Sequence, residues 1–276
     1  MAPPRFPQAT STAWLYMMDG DSSTWPTIPD SWKQINFGQV DVLILAPLGL
    51  QNPADGTFGV ADIIVNRFQW AVQTAKAAPR MIPNTKITIL VSQFWGSDPQ
   101  LWGHPLSALP ATAIDAHANS VRDFISANDL DGYDIDYEPN NIVATVPAIL
   151  QAIRAQLDDL SLTNGGRPYY TTVSPAELMF LDQAVPSLSA VNMQSYSGGI
   201  YITVADLLKI GFQPAQILYG VNAESPGQGP TVQQALDTYK NDGLVGIHLW
   251  RLNSGDFQQE IEWQSQVFDG LHCLSN

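Results

Sequence analysis

Cysteine is almost missing from this chain: Cys273 is the only one in 276 residues. An internal disulfide is therefore impossible, and a lone thiol near the C-terminus reads as an unreactive residue rather than a nucleophile. Basic residues are also scarce. Twelve Lys and Arg stand against 26 Asp and Glu, for a formal net charge of −14 and a pI near 4.3. Phosphate backbones repel such a surface and no Lys/Arg cluster reverses its sign locally, so nucleic acid and anionic membrane are excluded as partners. A neutral ligand such as a carbohydrate is compatible with the charge. No stretch is long and apolar enough to span a bilayer. Residues 1–9 are Pro-rich and lack the apolar centre of a signal peptide. The chain is accordingly expected to be cytosolic or, in slight preference, a secreted form whose signal has been removed. No Asn-x-Ser/Thr acceptor occurs, and no repeat, low-complexity tract or linker divides the chain.

What remains is a sequence that is 45% hydrophobic and only 14% charged, which demands a substantial core. Eight short apolar runs, at 12–18, 40–46, 86–92, 132–138, 169–173, 190–196, 216–221 and 245–250, read as buried parallel strands because they are nearly continuous rather than alternating. Between them lie helical patterns at 60–78, 111–128, 146–160, 203–210 and 231–241, with Thr231 as an N-cap, and a last one that Asp256 caps and that runs to about residue 270. The connection 21–39 is rich in Pro, Ser and Trp and is irregular. A (β/α)8 barrel takes roughly 250 residues, so the chain fits one such domain over residues 1–276. An open doubly wound sheet is the competing architecture, but its Gly-rich phosphate fingerprint is absent.

The most informative segment is Asp131-Gly132-Tyr133-Asp134-Ile135-Asp136-Tyr137-Glu138. Side chains alternate along a strand, so Asp134, Asp136 and Glu138 share one face while Ile135 and Tyr137 take the other. Three crowded, dehydrated acids destabilise a fold and cannot all ionise at neutral pH. One protonated carboxyl at the C-terminal end of a barrel strand is what a general acid requires. A Ca²⁺ loop is the bland alternative, but its spacing fails because Asn140 stands where the closing Glu should be. His104, His117, His248 and His272 have no metal-ligand spacing, so neither metal nor cofactor is expected.

The pattern Asp-x-x-Asp-x-Asp-x-Glu, complete here as Asp131, Asp134, Asp136 and Glu138, resembles the signature of glycoside hydrolase family 18, the chitinases and endo-β-N-acetylglucosaminidases. Gln194-Ser195-Tyr196, Ser174-Pro175-Ala176 and the run ending at Trp250 are similar to the compact hevamine-like branch. Ser92-Gln93-Phe94-Trp95-Gly96 lacks the Gly pair of many members, and Ser197 stands where many chitinases have Asp. Only about twenty residues separate the last two strands, too few for a chitinase insertion domain.

The resemblance implies a (β/α)8 barrel and an endo-acting, retaining hydrolase of β-1,4 linkages at N-acetylglucosamine, in which the substrate's acetamido oxygen is the nucleophile. Glu138 would be the acid and then the base. Asp136 would hold the acetamido N–H and share a proton with Asp134, and Tyr196 would orient the acetamido oxygen. Trp250 would stack on the sugar, with Gln194 and Asp131 placed among the substrate-contacting residues. Tyr16, Trp95 and Asn222, at strand ends, are candidate subsite residues. The partner is an N-acetylglucosamine-containing oligo- or polysaccharide and the chain is expected to be a monomer. N-glycan cores as substrate, transglycosylation, and a non-catalytic lectin-like binder remain open alternatives.

Overall fold

The computed structural model describes residues 2–96, 98, 101, 103–196, 202–254 and 257–274. Among these, eight parallel strands close into a barrel: β1 (Thr10–Tyr16), β2 (Val42–Asn52), β4 (Thr88–Gln93), β5 (Gly132–Tyr137), β6 (Tyr170–Pro175), β7 (Ala190–Met193), β8 (Ile217–Asn222) and β9 (Gly246–Trp250). Each pairs with the next in that order, and β1 also pairs with β9, which leaves the barrel without an edge. Closure at this seam needs a residue without a side chain: a Cβ on Gly246 would lie 1.9 Å from the Thr10 carbonyl oxygen. The short β3 (Thr57–Gly59) adds an antiparallel hairpin to the extended end of β2. All eight expected runs are strands, displaced by a few residues at their ends. The hairpin was not expected, because it lies beyond the apolar part of its run.

Helices cover the outside: α1 (Val65–Ala77), α2 (Ile114–Ala127), α3 (Val146–Thr163), α4 (Leu181–Ala184), α5 (Val204–Lys209), α6 (Val232–Asp242) and α7 (Phe257–His272). The apolar stripe Ile149, Ile153 and Leu157 buries α3 against the strands. Thr231 caps α6 in a reciprocal capping box with Gln234, and Gly243 ends it in the left-handed conformation. Asp256, the expected cap of α7, lies outside the described residues. The four-residue α4 is too short to announce itself by periodicity. The irregular 21–39 connection is organised by the buried Arg67 of α1, whose guanidinium donates to the carbonyls of Met17, Asp19, Thr24 and Thr27.

Two apolar layers result. One lies between strands and helices; the other fills the barrel, where Trp14, Ile44, Leu90 and Leu218 meet. Phe6 plugs the N-terminal end of the barrel by stacking on Tyr170 at 4.4 Å. Only residues 223–245, carrying α6, connect β8 to β9, so no additional domain interrupts the barrel there.

Candidate active site

Alternation along β5 produces the site. Tyr133, Ile135 and Tyr137 face the helical layer and are fully buried there. Asp134, Asp136 and Glu138 face inward at rising height, with Glu138 just past the strand end, half-buried at the mouth. The turn that follows is pinned by Asn141, which donates to the carbonyls of Asp136 (2.8 Å) and Gln93 (3.1 Å) and accepts from the Leu106 amide (2.8 Å). The acid pair thus stands on a fixed support.

The three acids have different surroundings. Asp134, fully buried, accepts from Ser92 (2.8 Å), Thr172 (2.5 Å) and Asn192 (3.1 Å), with Ser174 at 3.2 Å. Burial pushes its carboxyl up to about 6, against the pull of those four donors. With only donors around it, Asp134 holds negative charge at neutral pH. Asp136 is hydrogen-bonded to Glu138. Burial, then the charges of Glu138 and Asp134, hold the Asp136 carboxyl well above the usual carboxylate range. Glu138 is also raised, by burial, although the Gln194 amide (3.4 Å) and Asp136 favour its charged form. Two bonded carboxyls that both resist ionisation share one proton. Hydroxyl and amide donors occupy Asp134, and the hydrogen-bonded neighbour of Asp136 is Glu138.

A cavity of about 350 Å³ opens above this pair. Asp136, Glu138, Gln194 and Tyr196 form one wall; Trp14, Tyr16, Phe94, Trp95 and Trp250 supply an aromatic one. Gln194 is anchored by a 3.0 Å bond to the Ser174 carbonyl. The Tyr196 ring packs on the buried His248, whose Nε2 donates to the Met193 carbonyl (2.9 Å). Burial lowers His248 to about 4, so it is neutral packing beneath Tyr196. Room for both rings depends on Gly220: a Cβ there would meet Tyr196 at 2.7 Å and His248 at 2.8 Å.

Of the residues singled out in the sequence, Glu138, Asp136, Tyr196, Gln194, Trp250, Tyr16 and Trp95 come together in this cavity. Asp134 lies beneath it. Two placements need correction. Asp131 is at the opposite end of the barrel, before the first residue of β5, where it is ion-paired with Arg167 (2.7 Å) and accepts from the Ile89 amide (2.9 Å). It therefore contacts no ligand in the cavity. Asn222 is buried at the end of β8, where its side-chain oxygen accepts from the Ser225 amide (3.2 Å) and caps a turn. Ser197 and Trp102 lie outside the described residues. Trp25, Trp32, Trp70 and Trp263 pack against the core. Sequence reasoning missed Trp14, Phe94, Glu224 and Arg251 as lining residues. Position beside Trp250 was the available signal for Arg251; nothing local marked Glu224.

These features define a class: (β/α)8 barrels with a carboxyl pair at the C-terminal end of the fourth barrel strand, facing an aromatic-walled cleft. Solved structures sharpen it. A chitinase from Bacteroides thetaiotaomicron superposes with a TM-score of 0.66 at 13% identity, over 96% of this chain and 97% of that one. A fungal endo-β-N-acetylglucosaminidase from glycosyl hydrolase family 18 gives 0.62 at 17%, over 96% and 99%. A human pseudo-chitinase with retained chitooligosaccharide-binding properties gives 0.70 at 12%, over 95% and 99%. The chain has the fold of glycoside hydrolase family 18. No family model matches its sequence, and no curated protein does.

Proposed function

We propose that this protein is a family 18 glycoside hydrolase: an endo-acting, retaining enzyme that cleaves β-1,4 linkages at N-acetylglucosamine in chitin or chitooligosaccharides. The observation that carries this reading is the bonded Asp136–Glu138 pair at the cavity mouth. A retaining glycosidase with its own nucleophile places two carboxyls about 5 Å apart on opposite sides of the scissile bond. Two carboxyls bonded to each other stand on the same side, so Asp136 is not placed to attack. Glu224, the other acid of the cavity, has both oxygens engaged, by the Trp250 indole and Arg251. The nucleophile is then left to the substrate, whose 2-acetamido oxygen lies near its own anomeric carbon.

Glu138 donates the shared proton to the leaving glycosidic oxygen and later removes one from water. Asp136, relieved of that proton, accepts from the acetamido N–H and offsets the positive charge of the oxazolinium intermediate. Charged Asp134 beneath adds to that field. Tyr196 donates its hydroxyl to the acetamido oxygen and orients it for attack. Trp250 stacks on the apolar face of the sugar.

The pseudo-chitinase likeness makes sugar binding without cleavage the competing reading. The test is to incubate the protein, beside Glu138→Gln, with chitin oligomers and with a high-mannose glycoprotein, and to read the products by mass spectrometry. Cleavage of chitin oligomers by the wild type alone supports the proposal. Release of the glycan alone converts it to an endo-β-N-acetylglucosaminidase, and binding without cleavage of either leaves a lectin-like protein.

A further inference from the structure

We infer that Glu224 is a positioning residue that locks the Trp250 indole to the Arg251 guanidinium, so that the stacking wall of the cleft is held at one angle before a sugar arrives. The inference rests on the carbohydrate reading above for its consequence, though not for its geometry.

Trp250 is the last residue of β9 and is only half-buried. Its ring meets Trp14 (5.3 Å) and Tyr16 (6.2 Å) edge-on, and the Arg251 guanidinium lies 6.0 Å from its centre. The indole N–H donates to Glu224 Oε2 at 2.6 Å, a short charge-assisted bond that sets the ring's direction. The other oxygen of the same carboxylate accepts from Arg251 Nη2 at 3.0 Å. Arg251 Nη1 in turn reaches Asp19 Oδ1 at 3.0 Å, and the guanidinium lies over the Tyr16 ring at 5.0 Å. One carboxylate from the loop after β8 therefore ties the last residue of β9 to the residue that follows it and, through Arg251, to the loop after β1.

The clamp is itself preorganised. The amides of Ala223 and Glu224 both donate to the Trp250 carbonyl, at 2.6 and 3.3 Å. The Asn253 side chain bonds both the amide and the carbonyl of Tyr16, at 3.0 and 2.6 Å. The Arg251 side chain is only 11% exposed, so its charge needs Asp19 and Glu224 as partners. A stacking platform fixed in advance loses less freedom when a sugar binds, and that difference appears as affinity.

Two readouts test this in the full chain. The first is the Trp250 indole N–H resonance, assigned by its loss in Trp250→Phe and followed without any sugar. In the wild type it should exchange slowly with solvent. Glu224→Ala should accelerate that exchange at least about tenfold, whereas Glu224→Gln, whose amide oxygen still accepts, should stay near the wild type. The second is affinity for chitooligosaccharides in a Glu138→Gln background, where Glu224→Ala should weaken binding about tenfold and Glu224→Gln by much less. Unchanged indole exchange in Glu224→Ala overturns the clamp, as does unchanged affinity where the parent binds. Should the parent bind no chitooligosaccharide, the carbohydrate reading falls, while the indole exchange still decides the clamp.

Discussion

Strand β5 carries acids at both ends, and the two ends treat them in opposite ways. At its start, Asp131 is ion-paired with Arg167, and the neighbouring Asp129 is held by both Lys76 and Arg167. Those partners keep the Asp129 carboxyl below its ordinary value. Toward its far end, Asp134, Asp136 and Glu138 pair with no cation among the described residues; hydroxyls, amides and one another surround them, and all three are raised. Acids paired with cations hold a barrel together. Buried acids left without cations weaken it, and a protein keeps them where the chemistry needs a proton. This contrast explains why a four-acid motif divides into one structural member and three members at the site.

The largest test of the contrast is at Glu138. Replacement by Gln should leave the fold intact and lower turnover by about 10³-fold or more, as steady-state kinetics on a cleaved oligosaccharide would measure. Asp131→Asn should do the reverse: turnover within about twofold of the wild type, with a stability loss of about 1–3 kcal/mol in urea titration. Equal activity losses in the two variants would erase the distinction between the ends.

Gly220→Ala probes the packing behind the site. Its new methyl would lie 2.3 Å from the Met193 carbonyl oxygen and press on Tyr196 and His248, so activity should fall by about 10²-fold through misplacement of the tyrosine hydroxyl, with a lowered melting temperature as the β7–β8 pairing gives way.

The smallest effect is on pH-dependent stability, and here the two ends differ in sign. Asp136 and Glu138 bind a proton more tightly folded than unfolded. Their contribution is complete below the ordinary carboxylate range and is lost as pH rises through their raised values. Asp136→Asn should therefore raise the melting temperature by a few degrees above neutral pH, by roughly the 2–4 °C that one kcal/mol yields in a chain of this size. Asp129 behaves oppositely: its contribution exists above the ordinary value near ~3.9 and is lost as pH falls through its lowered one. It is small because the side chain is mostly exposed. Asp129→Asn should lower the melting temperature slightly at neutral pH and have no effect in strong acid.

The inward acids were legible in the sequence because strand periodicity fixes which way Asp134, Asp136 and Glu138 point. The eight strands were legible for a related reason, since buried parallel strands are continuous apolar runs. Legibility stopped at strand ends. Asp131 belongs to the motif by spacing but precedes the strand, and the distant Arg167, not periodicity, decides its role. Asn222 was singled out where Glu224, two residues on, enters the cavity, because the Asn222 side chain is used to cap the turn that carries Glu224 there. Trp14 looked like any core aromatic until barrel closure brought it beneath Trp250. The surroundings of Asp134 depended on Ser92, Thr172, Ser174 and Asn192 converging on it from three other strands, which no local pattern announces.

The central claim is that Asp136 and Glu138 act together on one side of the bond while the substrate supplies its own nucleophile. Proton NMR of the first product, from a fully acetylated chitooligosaccharide and from its unacetylated glucosamine counterpart, tests it most directly. The account predicts the β-anomer first from the acetylated chain and no cleavage of the other. An initial α-anomer, or equal cleavage of both chains, would contradict it.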